Sequence, residues 1–200
     1  MHRRLFTACL FSALMLTPAA WAQSANDARD LARISNYLNG TTTLTGEFVQ
    51  VGPDGDVSTG QFYMRRPGRV RFEYDLPNPA LIVADGTWVG IYDRSARTLD
   101  RYPLGQTPLE ILLEERVNLR DSGAVTNIES GNGQIRVTAI DPDEPDQGSI
   151  TMIFSDQPLE LRQWVVLDAQ GLTTTIALSE TRANIKLDPE LFFIGDPNDG

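Results

Sequence analysis

The sequence predicts a mainly β protein: one curved antiparallel sheet of about eleven short strands, with two helices against its concave side. Three observations carry this. Apolar and β-branched runs recur between tight turn signals, among them Gly52-Pro53-Asp54-Gly55, Asp85-Gly86 and Gln170-Gly171. Only two segments carry the 3.6-residue apolar period of a helix. A sheet this wide cannot stay flat and must curl, close or split. About 178 residues follow an N-terminal leader, with no internal repeat and no linker, which suits one domain with one core.

The elements follow in order. Residues 1–22 have the form of a secretory signal peptide, with Arg3-Arg4, an apolar stretch Leu5–Leu16 and Ala20-Trp21-Ala22 as the cleavage site. That apolar stretch is too short to cross a bilayer as a helix. Cleavage after Ala22 leaves residues 23–200 as a single domain. Its first helix is expected over Ala25–Leu38, with Leu31, Ile34 and Leu38 on one face and Asn39-Gly40 as the stop. Strands are expected at Leu44–Val51, Val57–Arg66, Arg69–Asp75, Ala80–Ala84, Thr87–Asp93 and Thr98–Tyr102. A second helix begins at Thr107-Pro108-Leu109-Glu110, read as N-cap, N1 proline and capping-box glutamate, and runs toward Arg116. Five further strands are expected at Val125–Glu129, Gln134–Ile140, Ser149–Phe154, Leu159–Asp168 and Leu172–Ser179. The succession of short strands and tight turns reads as a meander. Alternation puts Phe62, Met64 and Arg66 on one face, and Val70, Phe72 and Tyr74 on one face of the next strand.

Charge and composition exclude several chemistries. The chain has 17 basic and 27 acidic residues, one histidine and one cysteine. His2 and Cys9 both lie in the leader, which also holds two arginines and no acid, so the mature chain is expected at −12. It then offers no thiolate, no histidine base, no disulfide and no Cys/His zinc site. The charge argues against nucleic acid, which is bound by neutralising phosphates. The acidic run Asp141–Asp146 lacks the spacing of a calcium loop and reads as a solvated turn. Glu47, Glu73, Asp85, Glu110 and Asp188 could in principle supply a hydrolytic carboxylate pair, though nothing in the sequence brings two together. No metal or cofactor is expected.

The stretch Gly60-Gln61-Phe62-Tyr63-Met64-Arg65-Arg66-Pro67-Gly68-Arg69-Val70-Arg71-Phe72-Glu73-Tyr74, with Pro77, Leu81-Ile82-Val83-Ala84-Asp85-Gly86 and Ile91-Tyr92-Asp93, resembles the periplasmic outer-membrane lipoprotein carrier family of the LolA type. Phe48-Val49-Gln50, Thr107–Leu113 and Leu187-Asp188-Pro189-Glu190-Leu191-Phe192 extend the likeness over nearly the whole mature chain. The resemblance implies a Gram-negative periplasmic protein, an unclosed half β-barrel lidded by helices, and no enzymatic activity. It implies lipoproteins as cargo, received from an inner-membrane lipoprotein-releasing ABC transporter and passed to an outer-membrane acceptor lipoprotein. The chain is expected to act as a monomer. A related carrier or sensor for another lipid or glycolipid is the alternative.

The resemblance also assigns residues. Arg66 matches the family arginine associated with latching the lid and transferring cargo; without the family, it is a strand-end arginine that snorkels to water. Phe48, Phe62, Met64, Val70, Phe72, Tyr74, Trp88, Ile91, Leu109, Leu112 and Leu113, with Leu31 and Ile34 from the first helix, are expected to line the acyl-chain cavity. Each of them also fits an ordinary core. Where the family carries tryptophan this chain has Gly90, and Trp88, on the same face, is expected to replace that ring.

Overall fold

In the computed structural model the backbone is described for residues 19–193 and side chains for residues 25–193. Residues 1–18 of the expected signal peptide, and the polar tail beyond Phe193, lie outside the described residues. Helix α1 covers Ala19–Gly40, longer at both ends than its apolar period suggests. Six strands follow: β1 (Thr43–Val51), β2 (Val57–Arg65), β3 (Arg69–Tyr74), β4 (Ala80–Asp85), β5 (Trp88–Asp93) and β6 (Thr98–Pro103). A 3₁₀ turn at Leu104–Gln106 leads to α2 (Leu109–Leu113). The chain then returns to the sheet as β7 (Val125–Gly131), β8 (Gln134–Ala139), β9 (Gly148–Ser155), β10 (Glu160–Asp168) and β11 (Thr173–Ala183).

All eleven strands form one antiparallel sheet in the order β6-β5-β4-β3-β2-β1-β11-β10-β9-β8-β7. Neighbours in sequence pair throughout each half, but the halves are joined by β1 on β11, the first strand on the last. The expected single meander is therefore two meanders fused through their ends. β6 and β7 are the free edges and do not pair, so the barrel stays unclosed. The chain between them, residues 104–124, buries Leu104, Ile111, Leu112, Leu113, Val117, Leu119 and Ala124.

The second helix is shorter than expected and differently started. Pro108 takes the N-cap position, and no side chain caps α2. Thr107 turns both its N–H (2.9 Å) and its hydroxyl (2.8 Å) back to the Leu104 carbonyl, closing the preceding 3₁₀ turn. Its hydroxyl is directed at that carbonyl and not at an α2 N–H, so no capping box forms. At the other end Glu114 is extended, and the Leu113 carbonyl accepts from Gly68 N–H at 2.9 Å. With its last carbonyls engaged by the sheet, the helix stops long before Arg116.

The core lies on the concave face. Phe48, Phe62, Met64, Val70, Phe72 and Tyr74 from one half meet Ile135, Val137, Ile150, Met152, Phe154, Leu161 and Trp164 from the other, all buried. Two glycines make room for rings lying flat on the sheet. At Gly60 a Cβ would sit 2.0 Å from the Glu73 carbonyl oxygen and 2.8 Å from the Phe48 ring. At Gly46 it would meet the Ser179 carbonyl oxygen at 2.5 Å and the Phe62 ring at 3.1 Å. On the convex face, the 3₁₀ turn Pro189–Phe192 packs on β3 and β4, and Arg71 donates to the Leu191 carbonyl at 3.1 Å.

Candidate functional site

The apolar interior is built around Phe72. Its ring meets Phe48 edge-on at 5.1 Å, Trp164 at 6.1 Å, and stacks with Phe62 at 6.4 Å. Phe48 also meets Tyr74 edge-on at 5.1 Å, above Gly60. The Tyr74 hydroxyl donates to Gln50 Oε1 at 2.6 Å, and burial pushes its pKa up to about 12. α1 contributes Ile34 and Leu38, with Leu31 packed at the margin, while Leu112 and Leu113 close the interior from the connecting segment.

Most of the expected wall residues thus converge; Trp88 does not, and Ile91 and Leu109 lie at the margin. Trp88 is 45% exposed and sits on the convex face, because Val89, one residue on, is the inward neighbour of Ala84. It lines an outer cleft with Arg65, Arg69, Asp85 and Phe193, so it cannot line the interior or stand in for a missing inner ring. Gly90, on the same outer face, lies across from the buried Val83. Ile91 is on the inner face but 38% exposed, at the edge of the covered region. Leu109 is only partly buried.

Phe48, Phe62, Val70, Phe72, Ile34, Leu112 and Leu113 are all buried and belong to one apolar cluster. A cleft of about 290 Å³ lies between α2 and the β8–β9 loop, with Glu110, Glu114, Asp141 and Asp143 in its lining.

What covers the interior is a strap, residues 113–119, tied to the β2–β3 turn and to α1. Arg66 leaves the end of β2 and donates through Nη1 to the Leu38 carbonyl at the end of α1. Its Nε donates to the Glu114 carbonyl at 3.1 Å, and Nη2 reaches the same oxygen. Nη2 also approaches Asn39 Oδ1 at 3.5 Å. Asn39 clasps Val117 from both sides, its Nδ2 donating to the Val117 carbonyl at 2.8 Å and its Oδ1 accepting from Val117 N–H at 2.9 Å. One turn earlier, Ser35 Oγ accepts from Leu119 N–H at 3.1 Å and donates to the Leu31 carbonyl at 2.8 Å. Val117 and Leu119 are themselves buried, so polar ties and apolar anchors alternate along the strap.

The charges here oppose one another in an instructive way. Desolvation holds the Arg66 guanidinium below its ordinary pKa, and the nearby Glu114 carboxylate partly restores it. Desolvation, then Glu110, push the Glu114 carboxyl up; Arg66 pulls it back and Asp141 adds a smaller push up. Arg66 bonds the Glu114 main chain, not its carboxylate, which leaves that carboxylate facing like charge.

α1 is also fixed to the sheet by other residues. Arg33 pairs with Asp30 at 2.9 Å and Asp156 at 2.8 Å, and Asp30 accepts from Ser130 at 2.7 Å. Tyr37 packs edge-on against Phe154 at 5.9 Å, and its hydroxyl accepts from Leu161 N–H. The carboxylates considered for hydrolysis have local partners: Asp85 accepts from Thr87 and Trp88 N–H, Asp188 from Glu190 N–H, and Glu73 pairs with Arg71 at 2.6 Å. Among the described residues no group of three or more His, Cys, Asp or Glu side chains could hold a metal ion.

Sequence reasoning missed the inner residues of β8–β11, above all Trp164, and the strap's partners Ser35, Asn39 and Val117. The first had a signal in the alternation Trp164/Val166, Met152/Phe154 and Ile135/Val137. The second had none, because a polar side chain one helical turn from another looks like any exposed face.

Comparison with known proteins places this architecture. Residues 39–194 match the model of the family described as outer membrane lipoprotein carrier protein LolA. An outer-membrane lipoprotein carrier protein of Pseudomonas aeruginosa is 29% identical over 198 residues, covering 94% of this chain and 93% of its own length. One from Pseudomonas syringae pv. syringae is 30% identical over 173 residues, 79% and 80% of the two chains, and one from Methylococcus capsulatus is 29% identical over 180. Among solved structures, a DUF1329 family protein from Desulfovibrio piger shares the fold at a TM-score of 0.52 and 12% identity, over 84% of this chain and 96% of that one.

Proposed function

The chain belongs to the LolA family of outer membrane lipoprotein carrier proteins, and from that membership we propose that it shields the acyl chains of lipoproteins inside its unclosed barrel and carries them from the inner to the outer membrane. Proteins of this family are carriers and not enzymes. The chain works in the periplasm, with residues 1–22 removed after Ala22 and residues 23–200 acting as the one carrier domain. It receives cargo from an inner-membrane lipoprotein-releasing ABC transporter and yields it to an outer-membrane acceptor lipoprotein.

One observation supports this most. A large apolar interior is covered by a strap that polar ties hold down, centred on Arg66, Asn39 and Ser35. Each acyl CH₂ taken out of water contributes about 0.8 kcal/mol, so three acyl chains in a ready-made cavity would bind too tightly to be released. A closed resting state offsets this, because cargo binding must first break the strap's ties and part the Phe72 cluster. Arg66 is the latch in this scheme. Phe48, Phe62, Met64, Val70, Phe72, Tyr74, Leu112, Leu113 and Ile34 are the surface the acyl chains meet on opening, with Ile91, Leu109 and Leu31 at its margin.

The test is transfer from membrane to solution. Mature protein added to inner-membrane vesicles carrying a triacylated lipoprotein and its transporter should release that lipoprotein as a soluble one-to-one complex. No soluble complex would sink the proposal, and a protein recovered from the periplasm holding only a phospholipid or glycolipid would point to another lipid instead.

A further inference from the structure

Asn39 is followed by Gly40, the pairing in which an asparagine side chain is most open to attack by the next backbone nitrogen, since glycine has no side chain to hinder it. Gly40 has no steric reason to be glycine in the closed fold. It is not among the positive-φ residues, and a Cβ built on it meets nothing within 4 Å. Asn39 is exposed to solvent, so water is at hand. Two things restrain it: both residues sit in the last turn of α1, and the amide is bonded, with both faces spent on Val117, the oxygen also shared with Arg66, and the Gly40 carbonyl accepting from Asn184 Nδ2 at 3.0 Å.

We propose that Asn39-Gly40 is a deamidation site silenced by the closed strap and unmasked when the strap lifts. The Gly40 nitrogen attacks Asn39 Cγ, the Cγ–Nδ2 bond breaks, and ammonia leaves carrying the proton lost by Gly40. Water then opens the cyclic imide at one carbonyl or the other, giving aspartate or isoaspartate, so the net change is water taken up and ammonia released. Attack requires the amide to turn away from Val117, which the clasp prevents. The product is not neutral for the strap. An aspartate at 39 puts an acceptor where Nδ2 now donates to the Val117 carbonyl, and its charge draws Arg66 off the Glu114 carbonyl. Each opening therefore risks a modification that holds the strap open, which makes the site a covalent record of opening. The inference rests on the strap's geometry and not on what the barrel carries.

The chain contains its own reference. Asn132-Gly133 is the same dipeptide in the exposed β7–β8 turn, away from the strap. Protein aged in mildly alkaline buffer at body temperature and digested for mass spectrometry yields both rates from one sample. In the native chain Asn132 should deamidate many-fold faster than Asn39. Arg66→Leu should speed Asn39 several-fold and leave Asn132 unchanged, the remaining Asn184 tie keeping Asn39 below its reference. Ser35→Ala, which frees Leu119 without touching Arg66 or Asn39, should act in the same direction if Arg66→Leu does not fold. Equal rates at the two sites in the native chain, or no acceleration at Asn39 in either folded variant, would overturn the proposal. Asn39→Asp keeps the acceptor for the Val117 N–H but loses the donor to its carbonyl, so hydrogen exchange should rise across residues 113–119; unchanged exchange there would contradict the claimed effect on the strap.

Discussion

Arg66 shows how much of a side chain's role depends on backbone it cannot see in sequence. Alternation places it at the apolar face, and the family likeness names it as a latch, but neither says what it holds. Its partners are two main-chain carbonyls, Leu38 and Glu114, from elements 28 and 48 residues distant. Lysine has one charge point and no planar fork, so Arg66→Lys should restore the bond to one carbonyl only. Arg66→Leu should leave the sheet folded, raise hydrogen exchange at Leu113–Leu119 several-fold and impair cargo transfer; native-like exchange there would contradict the latch. Glu114 gives a pH signature. Its folded-state pKa is raised above the ordinary 4.5. The protonated form is therefore favoured by folding, and that contribution is present in acid and lost as pH rises through the folded pKa. Glu114→Gln should tighten the strap at neutral pH and flatten the acid side of its pH profile, measured by exchange at the Leu119 N–H. Gly60→Ala has no such subtlety. A methyl group 2.0 Å from the Glu73 carbonyl oxygen must move the strand or the Phe48 ring, and chemical denaturation should show a loss of about 1–3 kcal/mol.

The strap and α2 show where local signals mislead. Threonine, proline and a glutamate three residues after the threonine form a convincing helix start, and α2 does begin there, but the threonine serves the turn before it. The helix ends where the sheet takes over its carbonyls, a tertiary event with no local trace. The strands were legible to within a residue or two at most ends, because alternation and Gly-containing turns are local. The β1–β11 pairing was not, because it joins positions more than a hundred residues apart. That pairing brings Trp164 onto Phe72, so half of the interior wall escaped sequence reasoning. The strap should behave as one unit. Ser35→Ala strands the Leu119 N–H in a buried setting and should cost about 1–3 kcal/mol of strap closure. Exchange should rise across residues 113–119 together; a rise at Leu119 alone would argue for independent ties.

Across the molecule, two fused meanders make a trough, α1 lies along one end of its strands, and residues 104–124 span the gap between the free edges. Phe72 is buried in the core cluster when the strap is closed. Phe72→Ala should cost about 3–5 kcal/mol of stability, as for other large buried rings. Charge belongs here too: an excess of acidic over basic residues keeps a protein with a concealed greasy interior apart from its copies in water. On the proposed carrier function, this interior opens to take acyl chains by lifting the strap from the sheet. Only Cys9 would compete with engineered labels, and it lies in the expected leader. Spin labels at Asn118→Cys on the strap and Gln61→Cys on β2 therefore report the gap directly. The free protein should show one short distance, and the soluble complex with a triacylated lipoprotein a clearly longer one. A complex that forms with the distance unchanged would contradict it.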